Sequence, residues 1–164
     1  MITTILVAYA SKHGATEGIA RFIAERLVER GRRAEARPVA EVSDLGSPEA
    51  VVLGSSIYAG SWMKEALDFA QDHEAALRQV PVWLFSSGPL GDQVVDDEEQ
   101  PKQLAELQER LHPREHHVFF GALDVAKLGF AERMIVKAVK APDGDFRNWD
   151  EIGDWADRVA DALG

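Results

Sequence analysis

The chain has 164 residues, of which 46% are hydrophobic, and its 28 acidic and 18 basic residues give a formal net charge of −10. This length and composition predict a single globular domain over residues 1–164 with a full hydrophobic core. The acidic balance argues against nucleic acid as a main partner, because phosphate backbones are bound by clustered Lys and Arg.

The chain contains no cysteine. Disulfides, thiolate nucleophiles and Cys-ligated metal sites are therefore excluded, and any redox chemistry requires a bound cofactor. No apolar run reaches the ~18 residues of a membrane span, and no charged-then-apolar leader precedes the first predicted strand. We therefore expect a cytoplasmic protein without a transmembrane segment.

Strand and helix patterns alternate along the whole chain. Strands are predicted at residues 5–9, 34–39, 50–57, 82–85 and 118–123. Apolar residues at helical spacing follow the first, third and fourth strands and recur near the C-terminus, where Asn148 and Glu151 resemble a capping box. Buried strands separated by helices predict an α/β fold with a doubly wound, five-stranded parallel sheet.

A short polar turn joins the first predicted strand to the first helical pattern. Such a turn directs free backbone N–H groups and the positive end of a helix dipole at a ligand beyond the strand, which suits a phosphate. The turn consists of Ser11, Lys12, His13, Gly14, Ala15 and Thr16.

Two more loops rich in hydroxyls and glycine follow the third and fourth strands. Ligands bind beyond the carboxyl ends of the strands in such a sheet, so we expect all three loops to converge on one edge. The candidate residues are Ser55, Ser56, Ile57, Tyr58, Gly60 and Trp62 in the second loop, and Ser86, Ser87 and Gly88 in the third.

The loops lack the signatures of other proteins with this architecture. Neither G-x-G-x-x-G nor G-x-x-x-x-G-K-[ST] occurs, which argues against a dinucleotide fold and a nucleotide triphosphatase. A receiver domain would have acidic residues where this chain has Ser11 and Ser55. The ligand that remains compatible with these loops is a phosphate held by hydroxyl and backbone amide groups.

The first turn resembles the phosphate loop of the flavodoxins, [ST]-x-[ST]-G-x-[ST], which binds the 5′-phosphate of FMN. Ser11, Gly14 and Thr16 match this pattern, and His13 stands in place of a hydroxyl residue. The resemblance covers essentially the whole chain. It implies a flavodoxin-like sheet with strand order 2-1-3-4-5 and FMN as the cofactor.

Three further features are similar to one branch of this family, the menaquinone-dependent protoporphyrinogen IX dehydrogenases. They are Lys12, the segment LGSSIYAGSWMKEALDFAQDH, and the segment GALDVAKLGFAERMIVKAVK followed by Trp149. This likeness implies a quinone acceptor and a porphyrinogen substrate. The loop GPLGDQVVDDEEQPKQ departs from the branch, where it is long and basic, and its carboxylates would repel porphyrin propionates.

An FMN bound at the first turn would leave its ring between the second and third loops. Tyr58 and Trp62 could then stack on the ring, although Trp62 could equally be a core residue at the start of a helix. Backbone groups of Ser55, Gly60 and Ser87 would lie near N5 and N1 of the ring and tune electron transfer. No side chain is required as a general acid or nucleophile.

No metal site is expected, since His112, His116 and His117 lack paired ligand spacing. Arg133, Lys137 and Lys140 fall on one helical face and form either a solvated surface or a docking stripe.

Three functions remain open. They are an FMN electron carrier that serves a redox partner protein or a quinone, a protoporphyrinogen dehydrogenase, and a flavin-free interaction module.

Overall fold

The computed structural model describes residues 4–11, 14–58, 61–88, 102–119, 122–123, 144–145 and 147–163. The strands are β1 (Ile5–Ala10), β2 (Ala34–Pro38), β3 (Ala50–Tyr58), β4 (Ser61–Trp62), β5 (Val82–Ser87), β6 (Glu115–Phe119), β7 (Ala122–Leu123) and β8 (Gly144–Asp145). The α-helices are α1 (Ala15–Glu29), α2 (Lys64–Asp72), α3 (Glu74–Leu77), α4 (Lys102–Leu111) and α5 (Trp149–Ala162), and a 3₁₀ turn covers Val39–Glu41.

Five strands form one parallel sheet in the spatial order β2-β1-β3-β5-β6. When these five are numbered in chain order, the arrangement is 2-1-3-4-5, so the predicted doubly wound sheet is confirmed. The short β4 pairs antiparallel with the end of β3, and β7 pairs with β8 in a separate two-stranded sheet. Every residue of β1 and β5 is buried, as expected where helices cover both faces of a parallel sheet.

The helices cover the two faces of the sheet and create two cores. On one face, α1 and α5 lie side by side, and their apolar residues pack on the sheet. On the other face, α2, α3 and α4 form the second core. An ion pair from Arg26 to Asp157 joins α1 to α5, with Nε–Oδ1 and Nη2–Oδ2 distances of 2.9 and 3.0 Å. The two helices of this face are thereby joined to each other as well as packed on the sheet.

The last parallel strand lies earlier in the chain than the sequence predicts. The apolar run 118–123 was expected to form it, but β6 ends at Phe119 and residues 122–123 belong to β7. Among the described parallel strands, β6 pairs only with β5. Its first four residues are only partly buried, so an edge strand here accommodates His116 and His117, which the apolar pattern left out.

The predicted cap of α5 is confirmed. Asn148 Oδ1 accepts a hydrogen bond from the Glu151 backbone N–H at 3.1 Å. The Glu151 side chain does not complete a reciprocal box, because its Oε1 accepts a hydrogen bond from His117 Nε2 at 2.7 Å. Glu151 thus ties the start of α5 to β6.

The longest described helix, α1, has 15 residues, whereas a bilayer span needs about 20. None of the helices in the described ranges has both the length and the apolar character to cross a membrane.

Gly54 of β3 lies directly against the Phe85 ring of β5, which leads to a stability prediction. A Cβ at this position would lie 2.0 Å from Phe85 Cζ, and the Phe85 ring is itself packed against Phe119 and Trp155. Gly54→Ala should therefore lower the free energy of unfolding by about 1–3 kcal/mol, the usual cost of overpacking, as measured by urea denaturation.

Gly153→Ala is the matched control for this substitution. A Cβ at Gly153, within α5, would lie 3.5 Å from Phe22 Cε1, an ordinary contact. Because alanine favours helix, this variant should keep or raise the free energy of unfolding, by at most about 1 kcal/mol. Equal losses in the two variants would contradict the packing argument.

Candidate functional site

The carboxyl ends of β1, β3 and β5 lie side by side at one edge of the sheet. The strand register pairs Ala10 with Ser55 and Ser56 with Ser87. The segments that leave these strands therefore start next to one another, as the sequence predicts. Within the second loop, Gly60 lies outside the described residues.

The turn between β1 and α1 is shaped by Gly14, whose φ of +93° is a conformation that L side chains rarely adopt. Ser11 Oγ accepts a hydrogen bond from the Gly14 N–H at 2.9 Å and closes the turn. The backbone of α1 first bonds at Gly18, whose N–H donates to Gly14 O at 3.1 Å. The N–H groups before Gly18 therefore lack partners within the helix. Lys12 and His13 lie outside the described residues.

Thr16 carries a buried hydroxyl in the first turn of α1. The side chain is fully buried, and Oγ1 makes no hydrogen bond to any described residue. A buried polar atom without a partner costs about 1–3 kcal/mol, so a ligand oxygen at this position would relieve a real penalty. An anionic oxygen suits the position best, because the N-terminal end of the helix dipole is positive.

Glu17 is the acidic residue closest to the turn in sequence, and it is engaged by two other side chains. Its Oε1 accepts hydrogen bonds from Arg21 Nη2 at 2.9 Å and from Tyr9 Oη at 3.0 Å. Hydrogen bonds from Arg21, which has the larger effect, and from Tyr9 lower the pKa of Glu17. Burial, followed by the Glu17 contact, raises the pKa of Tyr9. The negative charge of Glu17 is thus partly compensated before any anion binds at the turn.

The serines at the end of β3 have different environments. Ser55 Oγ donates to Ser56 O at 2.9 Å and accepts from the Met63 N–H at 3.0 Å, which fixes the entry to α2. Ser55 is fully buried, and both hydrogen bonds of its hydroxyl are made to backbone groups of the protein. Ser56 Oγ is also buried but has no hydrogen-bond partner among the described residues. The end of β3 therefore offers one more polar atom that a ligand could satisfy.

Trp62 lies in the core, which corrects one of the two stacking expectations. Only 3% of its surface is exposed, and it packs in the core beneath α2. Its Nε1–H donates to Ser86 Oγ at 2.8 Å. An indole covered by core side chains has no free face for a flavin, so the core alternative is the one observed. The side chain of Tyr58 is not described, and its stacking stays a prediction.

Ser86 and His116 extend the hydrogen bond of Trp62 to the edge strand. Ser86 Oγ accepts from Trp62 Nε1–H and also lies 2.9 Å from His116 Nε2, within hydrogen-bond distance. Burial, and then the charge of His117, lowers the pKa of His116 to about 4, so the ring is neutral at pH 7. This Trp62–Ser86–His116 chain ties together β4, β5 and β6.

The sequence pattern did not indicate this role for His116. Adjacent residues of a strand point to opposite faces of the sheet, which separates His116 from His117. One ring bonds to Ser86, and the other bonds to Glu151 of α5. A sequence pattern shows neither partner, because both come from distant parts of the chain.

Gly88 allows the segment after β5 to lie directly on β3. A Cβ at Gly88 would lie 2.8 Å from Ile57 Cβ and 3.0 Å from Ile57 O. The Gly88 N–H donates to Phe119 O at 3.4 Å. Ile57 and Gly88 are thus in close contact, so the end of β3 and the residue that follows β5 lie against each other.

An open parallel sheet of order 2-1-3-4-5, with a glycine turn between its first strand and first helix, is the flavodoxin fold. A model of the flavodoxin domain matches residues 6–150, so the chain belongs to the flavodoxin domain family.

Three known proteins illustrate the range of its relatives. Protoporphyrinogen IX dehydrogenase (quinone) of Escherichia coli (strain K12) is 22% identical over 172 residues, covering 94% of this chain and 93% of that protein. A flavodoxin from the domain Archaea has a TM-score of 0.64 at 16% identity, over 98% of this chain and 99% of its own. Rubredoxin oxygen:oxidoreductase from Desulfovibrio gigas has a TM-score of 0.64 at 15% identity. That match covers 98% of this chain, which spans only 36% of the oxidoreductase.

The lowered pKa of His116 predicts a pH-dependent stability. The ordinary pKa of 6.5 applies to the unfolded chain, whereas the folded ring takes up a proton only at about 4. Between these values the unfolded state binds more protons, so the free energy of unfolding should fall as pH drops from 6.5 to 4. The loss should reach at most about 3 kcal/mol. Stabilisation by the lowered carboxyl pKa values of Glu17 and Asp157 is lost at more acid pH, starting from their ordinary values of 4.5 and 3.8.

Denaturation of His116→Gln across this pH range is the measurement. Glutamine can still form a hydrogen bond with Ser86 but does not titrate, so the slope between pH 6.5 and 4 should flatten. His112→Gln, at an exposed position, is the control and should keep the wild-type slope. An unchanged slope in His116→Gln would show that other groups cause the pH dependence.

Proposed function

We propose that this chain is a redox protein that binds FMN at the turn 11–16 and transfers electrons through the bound flavin. The observation that carries the proposal is the buried Thr16 Oγ1, which has no partner among the described residues and lies in the first turn of α1. The left-handed Gly14 and the turn-closing Ser11 complete a setting that suits a phosphate monoester. One such turn matches the single phosphate of FMN.

The residues of this edge fit FMN in distinct roles. The Thr16 hydroxyl and the backbone N–H groups at the start of α1 would bind the phosphate, with Lys12 as a counter-charge. Backbone groups of Ser55 and Ser87 would line the ring, and Tyr58 would cover one of its faces. Bound FMN supplies one- and two-electron transfer, while the chain supplies binding, orientation and electrostatics.

The charge of the protein bears on both the flavin and its partners. A net charge of −10 disfavours additional negative charge on a bound ring and so lowers its tendency to accept electrons. The same charge would speed the approach of a basic redox partner protein and slow that of an acidic one. A basic partner protein or an uncharged quinone is therefore the electron acceptor or donor that we propose.

Thr16→Val is the decisive variant, because the apoprotein and the complex should respond in opposite directions. Valine has nearly the same shape and removes a buried hydroxyl without a partner, so the free energy of unfolding of the apoprotein should stay level or rise by about 1 kcal/mol. FMN binding should weaken by about 1–3 kcal/mol through the lost hydrogen bond to a charged group. Chemical denaturation and calorimetric titration measure the two effects.

Two controls accompany this variant. Riboflavin lacks the phosphate, so its affinity should barely change in Thr16→Val. Ser11→Ala should also weaken FMN by about 1–3 kcal/mol, but it should lower the stability of the apoprotein, because it removes the 2.9 Å bond to Gly14. Equal loss of FMN and riboflavin affinity would assign both hydroxyls to the fold, and no FMN binding by the wild type would refute the function.

A quinone-dependent protoporphyrinogen IX dehydrogenase is the second candidate. Its support is the 22% identity to an enzyme of that name over 94% of this chain, together with the segments that resemble that branch. In that case the FMN-loaded protein should convert protoporphyrinogen IX to fluorescent protoporphyrin at a rate that depends on added menadione. The apoprotein is the control. Reduction of menadione by a chemical donor without porphyrin formation would favour the electron carrier instead.

A further inference from the structure

Arg147 contacts the first turn of α1 although it is 132 residues away from Ala15 in sequence. Its Nη1 donates to Ala15 O at 3.4 Å, a long hydrogen bond. Its guanidinium carbon lies 4.8 Å from the centre of the Trp149 ring, which in turn lies 5.0 Å from the ring of Phe22 in α1. Arg147 and Trp149 are therefore packed along the first two turns of this helix.

Gly18 makes room for the guanidinium. A Cβ at this position would lie 2.6 Å from Arg147 Nη1 and 3.8 Å from Trp149 Cη2. Gly18 lies inside α1, where glycine is a poor choice for helix stability. Its backbone is not in the left-handed region, so the turn does not require glycine here. The close approach of Arg147 gives a physical reason for glycine at position 18.

The first turn of α1 has little intrinsic rigidity. Gly14 and Gly18 bracket it, and glycine loses more conformational freedom on folding than any other residue. The same turn carries Thr16 and the N–H groups without partners inside the helix. A contact from outside the helix that fixes this turn would hold these donors in place before a ligand arrives, which reduces the ordering cost of binding.

We infer that Arg147 is a positioning residue for the phosphate-binding turn, and that Gly18 is the residue that admits it. Arg147 acts through the Ala15 carbonyl and through its packing between Gly18 and Trp149. This role deepens the proposed function and depends on it. Neither residue belongs to the loop pattern 11–16, so the contact couples a C-terminal segment to the cofactor turn.

The test combines Gly18→Ala and Arg147→Met, singly and together, in the full chain. Each single variant should raise the FMN dissociation constant about three- to tenfold, within the range of coupling between contacting residues. The riboflavin constant should change less than about twofold, because riboflavin has no phosphate. Since Gly18→Ala acts by displacing the guanidinium, the double variant should bind FMN no more weakly than Arg147→Met alone.

Two further readouts separate positioning from a general loss of structure. Alanine favours helix, so the apoprotein of Gly18→Ala should be at least as stable as the wild type even though it binds FMN more weakly. The phosphorus NMR signal of bound FMN should shift in both single variants, because the phosphate surroundings change.

Arg158→Met is the matched control. Arg158 lies on α5 and pairs with Glu115 at 2.9 Å, so this variant removes the same charge without touching the start of α1. Its FMN constant and phosphorus signal should equal those of the wild type. Unchanged FMN affinity in either test variant, additive losses in the double variant, or equal losses for riboflavin would overturn the inference. A wild type that does not bind FMN would overturn the proposed function instead.

Discussion

The candidate site depends on the N–H groups at the start of α1, because these groups have no partners within the helix. The first turn of a helix cannot satisfy these groups internally, and here they emerge beside the ends of three buried strands. Gly14 in the left-handed conformation and the Ser11 hydroxyl set the direction in which they point. The fully buried β1 fixes the start of the turn, because it has a strand on each side and helices on both faces. The anion site that we propose rests on this geometry.

The polar side chains of the sheet edge divide into two groups with different tasks. Ser55 and Ser86 bond to Met63, Trp62 and His116, so they connect the segments that surround the site. Thr16 and Ser56 keep buried oxygens without partners among the described residues. The first group makes the edge rigid, and the second leaves unsatisfied polar atoms there. Rigid surroundings lower the ordering cost of binding a ligand at the unsatisfied atoms.

Much of the fold followed from local pattern. Buried strands such as β1, β3 and β5 are continuous apolar runs, because helices cover both of their faces, and this signal places them and the turn after β1 correctly. The edge strand β6 is not a continuous apolar run, so this signal misplaced it. Its partly buried positions accept polar residues, and the apolar run that marked it straddles the end of β6 and the separate strand β7.

Local sequence patterns predict the alternation of strands and helices, the glycine turn and the cap at Asn148, because each of these depends on residues within a few positions of one another. The packing of distant segments makes Trp62 a core residue, brings Ser86 within hydrogen-bond distance of His116, and brings Arg147 to Ala15. These contacts join residues 24 to 132 positions apart. A periodic pattern reports which face of an element is buried, but the partner on that face is chosen only when the layers pack together.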